Sequence, residues 1–353
     1  MANVVLDHLC VDLSGERVLH DLDVDIAAGS FVAIVGPSGS GKSTLLRVVA
    51  GLVAAASGSI RFDGVDVGDL SASRRDIGMV FQESALLPRR NARRNVEFPL
   101  ELRRETAAVI RDRVNAEVRS LRIEYLLERE PHQLSRGEEQ LVQIARTMVR
   151  VPKVLLLDEP FAPLDAHLRS RMRSEISLLQ AGYGVTTIMA TNDPADAFAL
   201  ASQILVLGDT PSTIVQVGDP RDVHDDPGSL ATATGLGPLA VLRVRVRADS
   251  DGFWLEHDDV VRLRSWSPAL RDRIGTDVTL GVRPDGMTRH ERGEARLEVI
   301  RPIAGAPGSL VCRWAGRMLT ASGEVSADEH GSIQRFRIER PLVFDPDTGR
   351  RIC

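Results

Sequence analysis

The stretch GPSGSGKS, Gly36 to Ser43, lies between an apolar β-branched run, FVAIV (31–35), and a helix-like segment, TLLRVVAGL (44–52). It fits G-x-x-x-x-G-K-[ST] in the strand–loop–helix setting that the pattern requires. Gly36, Gly39 and Gly41, with Pro37, Ser38 and Ser40 between them, let backbone N–H groups turn inward around a β-phosphate. The start of the following helix, through Thr44, adds its positive end. Lys42 is placed to reach the β- and γ-phosphates, and the Ser43 hydroxyl to ligate Mg²⁺. Of the 44 basic residues only Lys42 and Lys153 are lysines, so one of two stands where phosphate chemistry asks for it. A second run, VLLLDEP (154–160), delivers two carboxylates from the end of a buried strand. Asp158 suits the Mg²⁺ shell, and Glu159 is placed to orient or deprotonate an attacking water. This chemistry calls for a nucleoside triphosphate and Mg²⁺.

The elements that position these residues follow from periodicity. FVAIV, VLLLD (154–158), TTIMA (186–190) and QILVL (203–207) read as buried strands. Between them Ile110, Val114, Val118 and Leu121 recur at helical spacing, as do Leu164, Leu168, Met172 and Ile176. Strands alternating with helices give an α/β domain around a mostly parallel sheet over residues 1–235, with a helical subdomain at about 84–150. Beyond 235 the texture changes. Leu242, Val244 and Val246 alternate with Arg243, Arg245 and Arg247, and short strand-like runs follow between Gly, Pro and Asp turns. Residues 236–353 therefore read as a small all-β, OB-like domain. The Arg stripe reads as the solvated side of an amphipathic strand rather than a nucleic-acid face.

Composition bounds the alternatives. At 353 residues, 43% hydrophobic and 26% charged, the chain has material for two globular cores, and long disorder is excluded. A net charge of −5 argues against a general nucleic-acid binder. No apolar run approaches the roughly 18–20 residues of a membrane span. Cys10, Cys312 and Cys353 have neither metal-ligand spacing nor an even count, which points to a reducing cytoplasm.

The order P-loop, VFQ (80–82), LSRGE (134–138), LLLDEP (155–160), APLD (162–165) and TND (191–193) resembles the ATP-binding subunit of an ABC transporter. The likeness covers the first 230 residues. VGDPRDVHDDP (217–227) and GVRPD (281–285) are similar to the linker and regulatory domain of the maltose-type sugar importers. The resemblance implies that Gln82 contacts Mg²⁺ and couples the attacking water to membrane subunits docked on the 84–130 stretch. It implies that Ser135, Arg136, Gly137 and Glu138 close over the γ-phosphate of ATP held by a second protomer. It assigns Asp165 to the link between the two sites, Asn192 to the catalytic switch position and Leu13 to the adenine-stacking position. The implied partners are a second ATPase protomer, two transmembrane permease subunits and, indirectly, an extracytoplasmic solute-binding protein. The implied place is the cytoplasmic face of a bacterial cell membrane.

Three positions depart from that pattern. LSRGE stands where the family has LSGGQ, so Arg136 adds bulk and Glu138 adds negative charge near phosphate oxygens, an effect on the order of 1–4 kcal/mol. Ser135 and Glu138 also spell a capping box, and both readings can hold together. Asn192 replaces a histidine and is never cationic; losing such a transition-state contact lowers rate by about 10²–10³. Leu13 replaces an aromatic whose stacking is worth roughly 1–3 kcal/mol. The chain is thus expected to drive an importer, with sugar the first substrate class, as a slow homodimer or paired with a more regular ATPase chain. The alternative is a weakly hydrolytic protein in which nucleotide gates a regulatory interaction.

Overall fold

The structure, a computed structural model, describes residues 2–353 apart from 84, 163, 251, 259, 266, 304, 305, 307, 325–328 and 330. Its two compact units are Met1–Val223 and His224–Cys353. The first begins with β1 (Val4–Leu13), β2 (Glu16–Ile26), β3 (Phe31–Val35), α1 (Lys42–Val49), β4 (Ser57–Phe62), β5 (Val65–Asp66) and β6 (Ile77–Val80). The helices α2 (Ala92–Leu102), α3 (Ala107–Ser120) and α4 (Arg136–Met148) follow. The unit continues with β7 (Val154–Asp158), α5 (Ala166–Tyr183), β8 (Thr186–Ala190), α6 (Pro194–Leu200), β9 (Gln203–Leu207) and β10 (Ile214–Gly218). α7 (Pro220–Asp225) then spans the division.

The central sheet has six strands in the order β10-β9-β3-β8-β7-β6, parallel except for β10. β3, β7 and β8 are buried at every position, as strands covered on both faces must be. An antiparallel sheet, β2-β1-β4-β5, shares its apolar core with α1 through Leu6, Leu22, Leu46 and Ile60. Cys10 and Cys312 are both buried. Leu164 falls two residues ahead of α5, because Asp165 caps that helix by accepting from Leu168 N.

Helices α2, α3 and α4 make up the helical subdomain. Its anchor to α5 includes Glu117, which is buried on α3 and accepts from the Tyr183 hydroxyl at 3.0 Å. The second carboxylate oxygen of Glu117 has no partner.

The second unit contains α8 (Leu230–Gly235), β11 (Ala240–Asp249), β12 (Gly252–His257), β13 (Val261–Ser265), β14 (Asp277–Val282) and β15 (Met287–Arg289). It ends with β16 (Ala295–Pro302), β17 (Ser309–Trp314), β18 (Arg317–Ser322), β19 (Ile333–Ile338) and β20 (Leu342–Phe344). The order β17-β18-β15-β19-β16 closes on itself through the β16–β17 pairing, giving a five-stranded OB-like ring. β13-β12-β11-β14-β20 extends from it, so the unit is more than a barrel alone, and one apolar core serves both parts. The compact units divide ahead of the 235/236 boundary expected from composition. Ala233 of α8 packs with Leu342 and Phe344, and Leu230 N donates to Gly349 O. The Arg stripe of β11 meets local partners, Arg245 on Gly275 O and Arg247 on Glu256.

Burial pushes the Glu117 carboxyl up to about 7, against a smaller opposing effect of the Tyr183 hydrogen bond. A carboxyl whose folded pKa exceeds its ordinary value favours the fold below that ordinary value, and the benefit disappears as pH rises to the folded pKa. Stability should therefore fall by about 3 kcal/mol at most between pH 4.5 and 7 on this account. Urea unfolding of Glu117→Gln across that range should lack this component; an unchanged pH slope would show that the group does not titrate this way.

Candidate active site

The site is built where β3, β7 and β8 end together. Ile34 is paired with Ala190, and Ala190 with Asp158, so three loops leave the sheet at one level. Thr191 N donates to Ile34 O at 3.1 Å and Glu159 N to Ala190 O at 3.0 Å, continuing the register into those loops.

The first loop is the glycine-rich turn. Gly36, Gly39 and Gly41 have φ of +156°, +83° and +83°; the last two lie well inside the region that favours glycine. A Cβ on Gly36 would stand 2.7 Å from Leu207 O, and one on Gly41 would stand 2.7 Å from Leu19 Cδ2. Gly41 is the N-cap of α1 and supplies no side-chain cap, which leaves the helix start to an anion. Ser40 Oγ is buried without a partner. Lys42, only 7% exposed, donates to Gly36 O at 2.9 Å and Pro37 O at 2.8 Å, so the loop is curled around its own lysine. Burial lowers the Lys42 pKa, and the nearby Glu159 and Asp158 act against that.

Ser43 Oγ donates to Asp158 Oδ1 at 2.7 Å. A hydroxyl and a carboxylate oxygen in contact beside a phosphate cradle form a donor set suited to Mg²⁺, which prefers oxygen ligands and shares them with substrate phosphates. The Gly36–Thr44 cradle and the Ser43–Asp158 pair thus fit both ATP and its metal.

Glu159 has φ +49°, the left-handed region that a glutamate rarely adopts, and this turns its carboxylate out of the strand line. Its Oε1 is buried without a partner. Burial raises its pKa above the usual carboxylate range, opposed by the Asn192 backbone N–H and the Lys42 charge. Asn192 therefore meets Glu159 through its main chain, while the residue itself is exposed. Its loop is pinned from behind. Thr191 Oγ1 donates to Asp196, Arg173 Nε donates to Asp196 at 2.7 Å, and Arg169 pairs with Asp193.

The remaining expected site residues lie apart. Gln82, beyond the end of β6, makes no hydrogen bond to Ser43, Asp158 or Glu159 among the described residues. It instead lines a polar cavity with Arg136, Glu139, Gln140 and Gln143. Ser84, two residues after Gln82 and the expected start of the docking stretch, lies outside the described residues, as does Pro163 of APLD. Ala85 is held to α4, its N–H on Gln143 Oε1 and its carbonyl on Arg146. Ser135 to Glu138 start α4 and make no hydrogen bond to the P-loop among the described residues. Arg136 is exposed, whereas Gly137 is buried and a Cβ there would overlap Leu168 of α5. The capping box is present. Ser135 Oγ accepts from Glu138 N at 3.4 Å, and Glu138 Oε2 accepts from Ser135 N at 2.8 Å. Arg129 Nη1 meets the other Glu138 oxygen at 3.2 Å, so much of the negative charge expected to oppose phosphate is matched locally. Leu13 is 37% exposed near the end of the β1–β2 hairpin, and Val18 and Leu19 of that hairpin are the residues against Gly41.

Sequence reasoning missed Arg75. Its buried guanidinium donates to Val48 O and Val49 O at the end of α1, and to Leu70 O and Gly68 O. It thus fixes the far end of the helix whose near end faces phosphate. Gly51 was the available signal, since a Cβ there would stand 2.6 Å from Arg75 Nε.

Comparison with known proteins follows the same outline. A family profile described as ABC transporter matches residues 19–162. An sn-glycerol-3-phosphate import ATP-binding protein of Ruegeria sp. (strain TM1040) is 36% identical over 360 residues, covering 100% of each chain. A maltose/maltodextrin import ATP-binding protein of Vibrio cholerae serotype O1 is 36% identical over 84% of this chain and 80% of its own. A solved dimeric ATP-binding cassette in a post-hydrolysis state, bound to ADP and Pi, superposes with a TM-score of 0.56 at 29% identity. That match covers 62% of this chain and 99% of the cassette.

The capping box makes a direct prediction. Glu138→Ala should destabilise the first unit by about 1 kcal/mol, and Glu138→Gln, which keeps both acceptor and reach, by much less. Equal losses in urea unfolding would mean that the carboxylate charge, paired to Arg129, matters more than the cap.

Proposed function

The chain belongs to the ABC transporter ATP-binding family, and from that membership we propose that it hydrolyses ATP to energise a bacterial importer of a sugar or sugar derivative. The observation that carries the reading is the Ser43–Asp158 contact beside Glu159, at the mouth of a phosphate cradle. ATP would lie with its β- and γ-phosphates against the N–H groups of Gly39 to Thr44, where Lys42 already points with two of its three protons engaged. Mg²⁺ held by Ser43 and Asp158 supplies charge neutralisation across those phosphates. Glu159 then orients a water and takes its proton as the water oxygen bonds to the γ-phosphorus and the bond to the β–γ bridging oxygen breaks. Asn192 offers a neutral amide to the γ-phosphate, a weaker contact than a cation would make.

The signature residues Ser135 to Glu138 stand away from the chain's own P-loop, which supports a site completed by a second protomer, as in the dimeric cassette it resembles. An open groove between β6 and the helices α2 and α4, with Met79, Phe98, Pro99 and Leu102 along it, supports docking of a permease subunit. Leu102 is 67% exposed there. The Ala85 contacts with α4 link that groove to the Gln82 loop. No helix among the described residues is long and apolar enough to cross a membrane, which suits a peripheral subunit bound to separate permeases at the cytoplasmic face. The substrate class follows two import proteins to which the chain is similar, those named for glycerol phosphate and for maltose. Arg136 and Asn192 favour a second reading, a weakly hydrolytic protein whose nucleotide state gates a regulatory contact.

Phosphate release with Mg-ATP separates the two. Slow turnover is expected, abolished in Glu159→Gln with ATP binding retained, and raised about tenfold or more by combined Arg136→Gly and Asn192→His. Because burial raises the Glu159 pKa, the acid limb of kcat should lie above the ordinary carboxylate range. ATP binding without turnover, unimproved by the double substitution, would support the regulatory reading.

A further inference from the structure

The second unit holds a cavity of about 150 Å³ that the nucleotide chemistry leaves unused. Two of the stretches singled out in the sequence converge on it. VGDPRDVHDDP contributes His224 and Asp225, and GVRPD contributes Arg283 and Asp285; Glu339 and Arg340 complete the lining.

Arg283 follows β14 directly, and the proline after it holds its backbone extended (φ −79°, ψ 151°). The residue is 9% exposed. Its Nη2 donates to His224 O at 3.2 Å, and its Nε is buried with no acceptor. A buried guanidinium N–H without a partner is unfavourable, and the guanidinium that carries it belongs to a residue lining the cavity. Around it the charges are mixed. Asp225 is met by His224 Nδ1 at 3.1 Å and Arg340 Nη1 at 3.3 Å, whereas Asp285 and Glu339 are exposed carboxylates.

This balance selects the ligand. Three carboxylates against two guanidiniums oppose an anion, and the buried Arg283 opposes a cation. A neutral polyhydroxy compound suits both, because each hydroxyl accepts from a guanidinium and donates to a carboxylate. The volume is that of about five waters, the bulk of a short polyol.

We propose that this cavity binds a small neutral polyol or monosaccharide, with Arg283 donating to one hydroxyl oxygen and Asp285 and Glu339 accepting from others. The site is separate from ATP hydrolysis and stands whether or not the transport reading does.

The test is ligand-observed NMR and calorimetry on the full chain with glycerol, erythritol, xylitol and glucose, beside inorganic phosphate. Saturable binding of at least one neutral compound is expected. It should weaken at least tenfold in Asp285→Ala combined with Glu339→Ala, whose exposed positions spare the core, and disappear in Arg283→Gln. Circular dichroism checks that the Arg283 variant folds, and the rim variant decides the matter if it does not. No saturable binding of any neutral probe, binding indifferent to the rim substitutions, or phosphate binding more tightly than every polyol would each overturn the proposal.

Discussion

A hydrogen bond from Ser43 Oγ to Asp158 Oδ1 joins the first turn of α1 to the end of β7, and the site depends on that junction. It requires α1 and β7 to be placed to within a fraction of an ångström, although 115 residues separate the two side chains in sequence. The parallel register of β3, β8 and β7 meets that demand by ending three strands at one level. Arg75 holds the other end of α1 through the Val48 and Val49 carbonyls, so the helix that presents N–H groups to phosphate is clamped at both termini. Positive charge at a helix C-terminus and negative charge at its N-terminus both act with the helix dipole, and α1 is arranged for both.

From that fixed centre the mobile chemistry is carried outward in short steps. Glu159 sits in a strained backbone conformation with a buried, unpartnered oxygen, which leaves it free for the role of base proposed for it. The loop of Thr191 to Asp193 is braced by Arg169 and Arg173, so its contact with Glu159 is set by ion pairs behind it rather than by the switch side chain. On the other side Ala85 is tied to α4, and α4 begins with the signature residues. The Gln82 loop is therefore mechanically continuous with α4, the helix that the signature residues begin.

Much of this was legible in the sequence, because the chemistry is local there. The P-loop, the Asp158–Glu159 pair and the strands carrying them are contiguous segments whose period and flanks state their structure, and FVAIV, VLLLD, TTIMA and QILVL coincide with β3, β7, β8 and β9. The capping box at Ser135 was legible for the same reason, since its partners are three residues apart. What was not legible depends on long-range packing. Nothing near Arg75 in sequence announces that it also reaches the Val48 and Val49 carbonyls of α1, 27 and 26 residues away. Arg129 meeting Glu138 changes what that charge can do to phosphate, yet it lies nine residues away on a separate turn. The ring closure of β16 on β17, and the attachment of α8 to the second unit, likewise follow from contacts that a change of composition does not report.

The central claim is that Ser43 and Asp158 are a preassembled metal and phosphate site. ATP affinity of the full chain, measured with Mg²⁺ and with EDTA, tests it most directly when repeated on Asp158→Ala. The account predicts at least tenfold tighter ATP binding with Mg²⁺ in the unsubstituted chain, and loss of that increment in Asp158→Ala with EDTA affinity little changed. An ATP affinity indifferent to Mg²⁺, or an increment that survives in Asp158→Ala, would contradict it.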